Sequence, residues 1–450
     1  MYASFLLILL ILKINLMCSK IISIPFKFKT KSRNYNSYDS SDFLNEYYKK
    51  DLLLNMDIGT PPQKILASLN TNSYCFEFKP TKSNSSNIFY PYKSTTFKID
   101  KIENTQNKLI KYITSNDIFN FHTKERYKLS FIISGNLNES TAINSSLIPD
   151  IGINNPVPFY GIFYLCKNLI TDLKDLKEID KKIFSIKYED DLGGLFIIGN
   201  NLCKYDSFHF KEEQYYTKYF VWDFMFTYDN IYIKNYLNKI DYLNITGNNI
   251  MKEGKINLNS GLIIGTLDFK NFIYEKFFKN LIEKNICSLD LVKYNGEKTY
   301  FDLGNDFYIF SCDHMQFTGQ INQGYRKINY YSEFPNLMIN SKSFEYDFEL
   351  TSKDLFKKIF DKDYFLIVFP ESVKDQKNKD IWYLGGPFYK KYPFTIDLDA
   401  KTIGFYLNKK DVNKKINDSE NIKNKDNNRG KNKITNDNNS KIKTILIRIF

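Results

Sequence analysis

Short apolar runs, many alternating with polar residues and bounded by Asn, Asp, Gly or Pro, recur along the chain. Their period of two and their β-branched and aromatic content predict strands at 52–58, 64–69, 127–134, 183–188 and 194–198. The same pattern predicts strands at 219–226, 256–258, 308–311, 364–369 and 394–398. Helical spacing is rare. Residues 269–284 carry it best, with Phe272, Phe277 and Leu281 on one face. The chain is therefore expected to be mostly β, with no repeat of solenoid length but a weak two-fold echo between its halves.

Both ends depart from this pattern. Eight apolar residues from Phe5 to Leu12 are too few to span a membrane comfortably and predict a signal peptide over residues 1–18. No other segment approaches spanning length. Residues 20–33 form a basic stretch with alternating apolar positions, and a polar spacer is expected over 34–42. From Lys409 onward aromatics vanish until Phe450 and Asn, Lys and Asp dominate, which predicts disorder over 409–450 because too little apolar surface is available to offset ordering. Only 442–450 there could touch a membrane surface or the body.

At 450 residues the chain has room for two lobes of ordinary size. Its net charge of +12 belongs mostly to the ends. Residues 409–450 carry twelve Lys/Arg against five Asp/Glu and residues 1–46 a net +3, which leaves +2 for 47–408. A nearly neutral body argues against nucleic-acid binding, which needs clustered cations. The basic tail is suited to acidic surfaces.

An exported chain meets an oxidising compartment, so disulfides are expected. Cys18 leaves with the signal, and Cys75, Cys166, Cys203, Cys287 and Cys312 remain with several pairings open. Asn84, Asn138, Asn144 and Asn244 head glycosylation sequons. The three histidines are scattered without metal spacing, so neither metal nor cofactor is expected. Cys312-Asp-His314 is read as a half-cystine beside a histidine and not as a thiol–imidazole pair.

The motifs with chemical meaning come in order. Ile58-Gly-Thr-Pro-Pro-Gln63 suits a tight turn, and six residues later stands Asn70-Thr-Asn-Ser73. In the second half, Lys255-Ile-Asn-Leu-Asn259-Ser-Gly-Leu-Ile263 is followed by the predicted helix. Further on come Phe334-Pro-Asn-Leu337, Ile381-Trp-Tyr-Leu-Gly385-Gly-Pro-Phe388 and a closing Ile403-Gly-Phe405. In this order, and over roughly residues 47–408, they resemble the landmarks of the pepsin-like aspartic protease family. The resemblance implies a bilobal, mostly β fold of two related barrel lobes around a cleft, here 47–203 and 204–408. The stretch 19–46 then looks like a short propeptide with its spacer.

In that family each lobe offers an aspartate in an Asp-Thr-Gly or Asp-Ser-Gly loop. The matching positions here are Asn70 and Asn259, and no such triplet with Asp occurs elsewhere. The resemblance makes Thr71 and Ser260 the hydroxyls that brace the two loops across the lobe interface, and Tyr112 the flap tyrosine. An Asn side chain hydrogen-bonds but does not ionise near neutral pH. It supplies neither the base nor the acid that two carboxylates sharing a proton provide. The expectation is a secreted or cell-surface protein that binds a peptide or protein in the cleft without cutting it. Two alternatives stand beside it: a weak endopeptidase using Glu77 or Asp117, and a structural or adhesion protein on the same fold.

Overall fold

The computed structural model describes residues 21–28, 38–50, 52–70, 77–80, 89–104, 109–121, 126–138, 159–164, 167–189, 193–200, 215–218, 225–235, 237, 239–243, 251–295, 303–319, 328–341, 346–371 and 379–406. It is mostly β with several antiparallel sheets. In the first half run β1 (Ile22–Phe28), helix α1 (Ser40–Tyr47), β2 (Leu52–Ile58), β3 (Gln63–Asn70), β4 (Glu77–Pro80), β5 (Lys98–Asn104) and β6 (Leu109–Asn120). These lead to β7 (Tyr127–Asn138), β8 (Phe159–Tyr164), β9 (Ile183–Tyr188) and β10 (Gly193–Ile198). Then come β11 (Tyr215–Lys218), β12 (Met225–Thr227), β13 (Asn230–Lys234), β14 (Ile240–Tyr242), β15 (Met251–Ile256), β16 (Ile263–Ile264) and helix α2 (Leu267–Ile273). The last part holds β17 (Cys287–Lys293), β18 (Asp306–Asp313), β19 (Asn336–Ser341), β20 (Tyr346–Leu350), β21 (Phe356–Ile359), β22 (Lys362–Phe365) and β23 (Ile367–Pro370). It closes with β24 (Lys379–Leu384), helix α3 (Gly386–Lys391), β25 (Phe394–Asp397) and β26 (Thr402–Phe405).

Pleating explains the strands. In β2, Leu52, Leu54, Met56 and Ile58 are buried while the residues between them are half-buried, so one face meets the core. The helix expected at 269–284 starts two residues earlier, where the Thr266 hydroxyl accepts from the Phe269 amide. It continues through a π turn at Tyr274–Phe278 into Lys279–Glu283, burying Phe269, Ile273, Phe278 and Leu281. The strand expected at 256–258 lies instead at Met251–Ile256, because Asn257 to Ser260 turn away. The polar spacer expected over 34–42 is also corrected at its end. Asp39 caps α1 in a reciprocal box with Asp42, and the helix begins at Ser40.

One strand path occurs twice. In the first half the order is β2-β3-β8-β4-β7-β6-β5, and in the second β12-β15-β24-β16-β23-β18-β17. Along both paths the six pairings run antiparallel, parallel, antiparallel, parallel, antiparallel, antiparallel. The two copies share little sequence, so the agreement lies in topology. A four-stranded sheet, β14-β13-β19-β20, stands apart. The last strands, β25 and β26, return to β9 and so join the sheet that holds β10, β1 and β2.

No helix among the described residues is long and apolar enough to cross a membrane. Cys287 and Cys312 face each other on β17 and β18 and form a disulfide. Cys75, Cys166 and Cys203, the sequons at Asn84, Asn144 and Asn244, and the tail 409–450 lie outside the described residues.

A buried acidic patch behind β24 gives a test of the packing. The Tyr228 hydroxyl donates to Asp380 Oδ2 at 2.5 Å, and Glu253 is buried nearby with Oε2 unpartnered. Burial pushes the Asp380 carboxyl above the ordinary carboxylate range, against the opposing pull of the Tyr228 hydrogen bond and of Lys252. The folded state thus holds this proton more tightly than the unfolded chain. The resulting stability is fully present below the unfolded value and is lost as pH rises through the folded one, at about 1.4 kcal/mol per pH unit of displacement. Asp380→Asn is expected to be more stable than the parent at pH 7, with the gap closing as pH falls towards 4. Urea midpoints across that range check it; a gap independent of pH would contradict it.

Candidate functional site

The Asn259 loop is built by chain crossing. After β15, the Asn257 amide donates to Leu384 O at 2.9 Å and also to the Tyr389 hydroxyl. The loop then passes over the end of β24, where Gly386 N donates to Ser260 O at 2.8 Å. The approach is so close that a Cβ on Gly385 would lie 1.9 Å from Leu262 O. Beyond the crossing, Ile263 N and Gly265 N donate to Leu366 O and Val368 O, which starts β16 beside β23. Leu258 and Leu262 are fully buried on either side and fix the loop in the core.

Within this loop Asn259 is half-buried, and its Oδ1 is buried with no hydrogen-bond partner. Its carbonyl accepts from Lys50 N at 2.7 Å, and Gly261 N donates to Tyr47 O at 2.9 Å. The Ser260 hydroxyl, read from the sequence as a brace to the other loop, donates to Leu262 O at 2.8 Å and accepts from Leu262 N at 3.0 Å. These bonds tie Ser260 to its own loop. The two contacts from Tyr47 and Lys50 were not foreseen. Only the helix that carries them had a signal: the Asp39/Asp42 capping box precedes apolar residues at 43, 44, 47 and 48, a helical spacing.

In the first half, Asn70 ends β3 opposite Tyr164 of β8, the parallel partner that corresponds to β24. The side chain of Asn70, all of Thr71 and the rest of that loop lie outside the described residues. Tyr112, read as the flap tyrosine, is placed along β6 between Glu103 of β5 and Ser134 of β7. Tyr112 thus lies within β6, three residues after its first residue Leu109.

The residues of two other chemistries weighed from the sequence also have places in the fold. Asp117 is fully buried beneath the Gly59–Gln63 turn, where its Oδ1 accepts from the Thr96 hydroxyl at 2.5 Å and from Ile118 N at 2.7 Å. It braces the turn and is closed to a substrate. Glu77 opens β4 between Ile162 of β8 and Ile132 of β7. With Cys312 held in the disulfide, His314 instead places Nδ1 2.8 Å from Asp363 Oδ2. Among the described residues, no three His, Cys, Asp or Glu side chains gather where a metal ion could be held.

No known protein family matches the chain, and neither does any curated protein. The duplicated strand path and the geometry of the Asn259 loop stand on their own.

Proposed function

We propose that this chain is a non-catalytic homologue of the pepsin-like aspartic proteases, secreted, with two related lobes, which binds a peptide or protein segment in the groove between them without cutting it. The observation that carries this reading is the seven-strand path laid down twice, with Asn70 and Asn259 at its matched loops. A reaction that needs two groups able to exchange a proton with water and a carbonyl cannot run on two carboxamides. The loss of acid–base assistance at each position is worth about 10²–10⁴-fold in rate. The unpartnered Oδ1 of Asn259 leaves a buried acceptor, which a ligand N–H would satisfy.

The endopeptidase alternative loses Asp117, which is buried under a turn. Binding is tested by passing a broad peptide library over the immobilised protein and reading the retained fraction by mass spectrometry. Retention of a subset of peptides, all intact, is the expected result. A library that passes through unretained would remove the binding role and leave the fold as a structural platform.

A further inference from the structure

We propose that the segment 442–450 docks back on the body as an added strand along the open edge of β14, in the groove between that strand and α2. The inference goes beyond the peptide-binding reading and does not rest on it.

The edge follows from the ladder. β14 ends the four-stranded sheet, and β13 is its sole strand partner among the described residues. Asn235 N donates to Lys239 O and Leu243 N donates to Ile231 O, while Ile233 stands opposite Asp241. The bonds to β13 therefore fall on residues 239, 241 and 243. In an antiparallel ladder the residues between these turn their N–H and C=O outward, here Ile240 and Tyr242. Ile240 and Tyr242 are 45% and 54% exposed, and Leu237 at the hairpin turn is 59% exposed. An open apolar edge invites pairing with a further strand, and natural sheets cover such edges or charge them.

The other wall of the groove is helical. Asp268, Asn271 and Phe272 of α2, with Lys276 in the π turn after it, face residues 240–243 across a space of about 570 Å³. A strand edge beside a helix seats an extended segment, with main-chain bonds to the edge and side chains against the helix. One ion pair crosses it, Lys276 Nζ to Asp241 Oδ1 at 3.0 Å. Both partners are nearly half exposed, so displacing the pair costs little. Asp268 is exposed and has no cationic partner among the described residues, which leaves the groove net negative.

The tail supplies an occupant of matching chemistry. Ile442-Lys-Thr-Ile-Leu-Ile-Arg-Ile-Phe450 is β-branched at five of its nine positions, a composition suited to a strand. With Arg448 opposite Asp241, its guanidinium meets Asp241 and Asp268 on the helix side. Strand alternation then puts Ile447 and Ile449 on the other face, beside Ile240 and Tyr242.

The tail also starts close by. Phe405, the last residue of β26, packs its ring 5.1 Å from that of Phe348 on β20. β20 is the opposite edge of the sheet that ends in β14. Three strand spacings, about 15 Å, separate the two edges. The 35 residues from 407 to 441, as a flexible polar chain, would span about 30–35 Å root-mean-square, so β14 is within reach.

The test uses the full chain, without lipid, and reads hydrogen exchange at single amides of β14. The Ile240 and Tyr242 amides should exchange at least tenfold slower than unstructured amides, by a factor that does not change over a hundredfold range of protein concentration. Ile447→Pro combined with Ile449→Pro removes two donors from the tail and should speed exchange at Ile240 and Tyr242 at least tenfold. Asp241 and Leu243, bonded to β13, should stay slow in the same variant. Arg448→Asp and Asp268→Lys should each speed Ile240 and Tyr242 at least threefold, and the two together should restore the slow exchange. Fast exchange at Ile240 and Tyr242 in the unaltered chain, or slow exchange that the proline pair leaves untouched, would overturn the proposal. So would protection that grows with concentration, because the added strand would then come from a second copy. Single charge reversals without effect would also overturn it.

Discussion

Gly385→Ala should lower the stability of the protein by about 4 kcal/mol or more, or abolish its cooperative unfolding altogether. The methyl group would lie 1.9 Å from Leu262 O and 2.8 Å from Ser260 O, both backbone atoms of the Asn259 loop. Neither can retreat without breaking the Gly386–Ser260 hydrogen bond or lifting the loop from β24. The φ of Gly385 is −109°, open to any residue, so the penalty comes from close approach alone. Gly386→Ala is the control. Its methyl would find nothing nearer than Gly261 Cα at 3.3 Å, and the cost should stay within about 1.5 kcal/mol. Denaturant unfolding of the pair distinguishes a chain crossing at Gly385 from a merely crowded strand end; equal midpoints would refute the crossing.

Trp382→Ala should cost about 3–5 kcal/mol. Trp382 is 1% exposed on β24, and Phe269 of α2 meets its ring edge-on at 5.0 Å, so truncation opens a cavity between strand and helix. Trp382→Phe should be much milder. The indole Nε1 is buried with no acceptor, and removing an unsatisfied donor recovers part of the loss in volume. Urea midpoints should therefore place the Phe variant closer to the parent than to the Ala variant. A Phe variant as unstable as the Ala variant would contradict an unsatisfied Nε1.

Much of the fold was legible because it is local. Alternation marked β2, β9 and β10 within a residue, and the Gly59–Gln63 turn announced the β2–β3 hairpin. What stayed hidden was set by partners far along the chain. The residues of β1 alternate visibly, yet nothing near them says that they pair with a strand some 170 residues away. The short β16 has two residues and is defined only by β23 and β24 beside it. Helix α1 was hidden by composition: polar residues from 34 to 42 read as a spacer until Asp39 and Asp42 are seen as a cap.

The candidate site was legible to the same degree. Asn259-Ser-Gly was findable as a loop because Gly261 and the flanking apolar residues are local features. That the loop lies against Tyr47 and Lys50 depends on how α1 packs, which no spacing in the second half records. The bonding of Ser260 within its own loop was equally unreadable, since a hydroxyl chooses its partner by geometry.

The proposed function requires that the loops at Asn70 and Asn259 carry no working acid–base pair. It is tested most directly by hydrolysis of a broad peptide library by clean recombinant protein from pH 3 to 7, with and without pepstatin. The predicted result is no cleavage at any pH. Cleavage that pepstatin abolishes would contradict the account, since it would require an ionising pair where Asn70 and Asn259 stand.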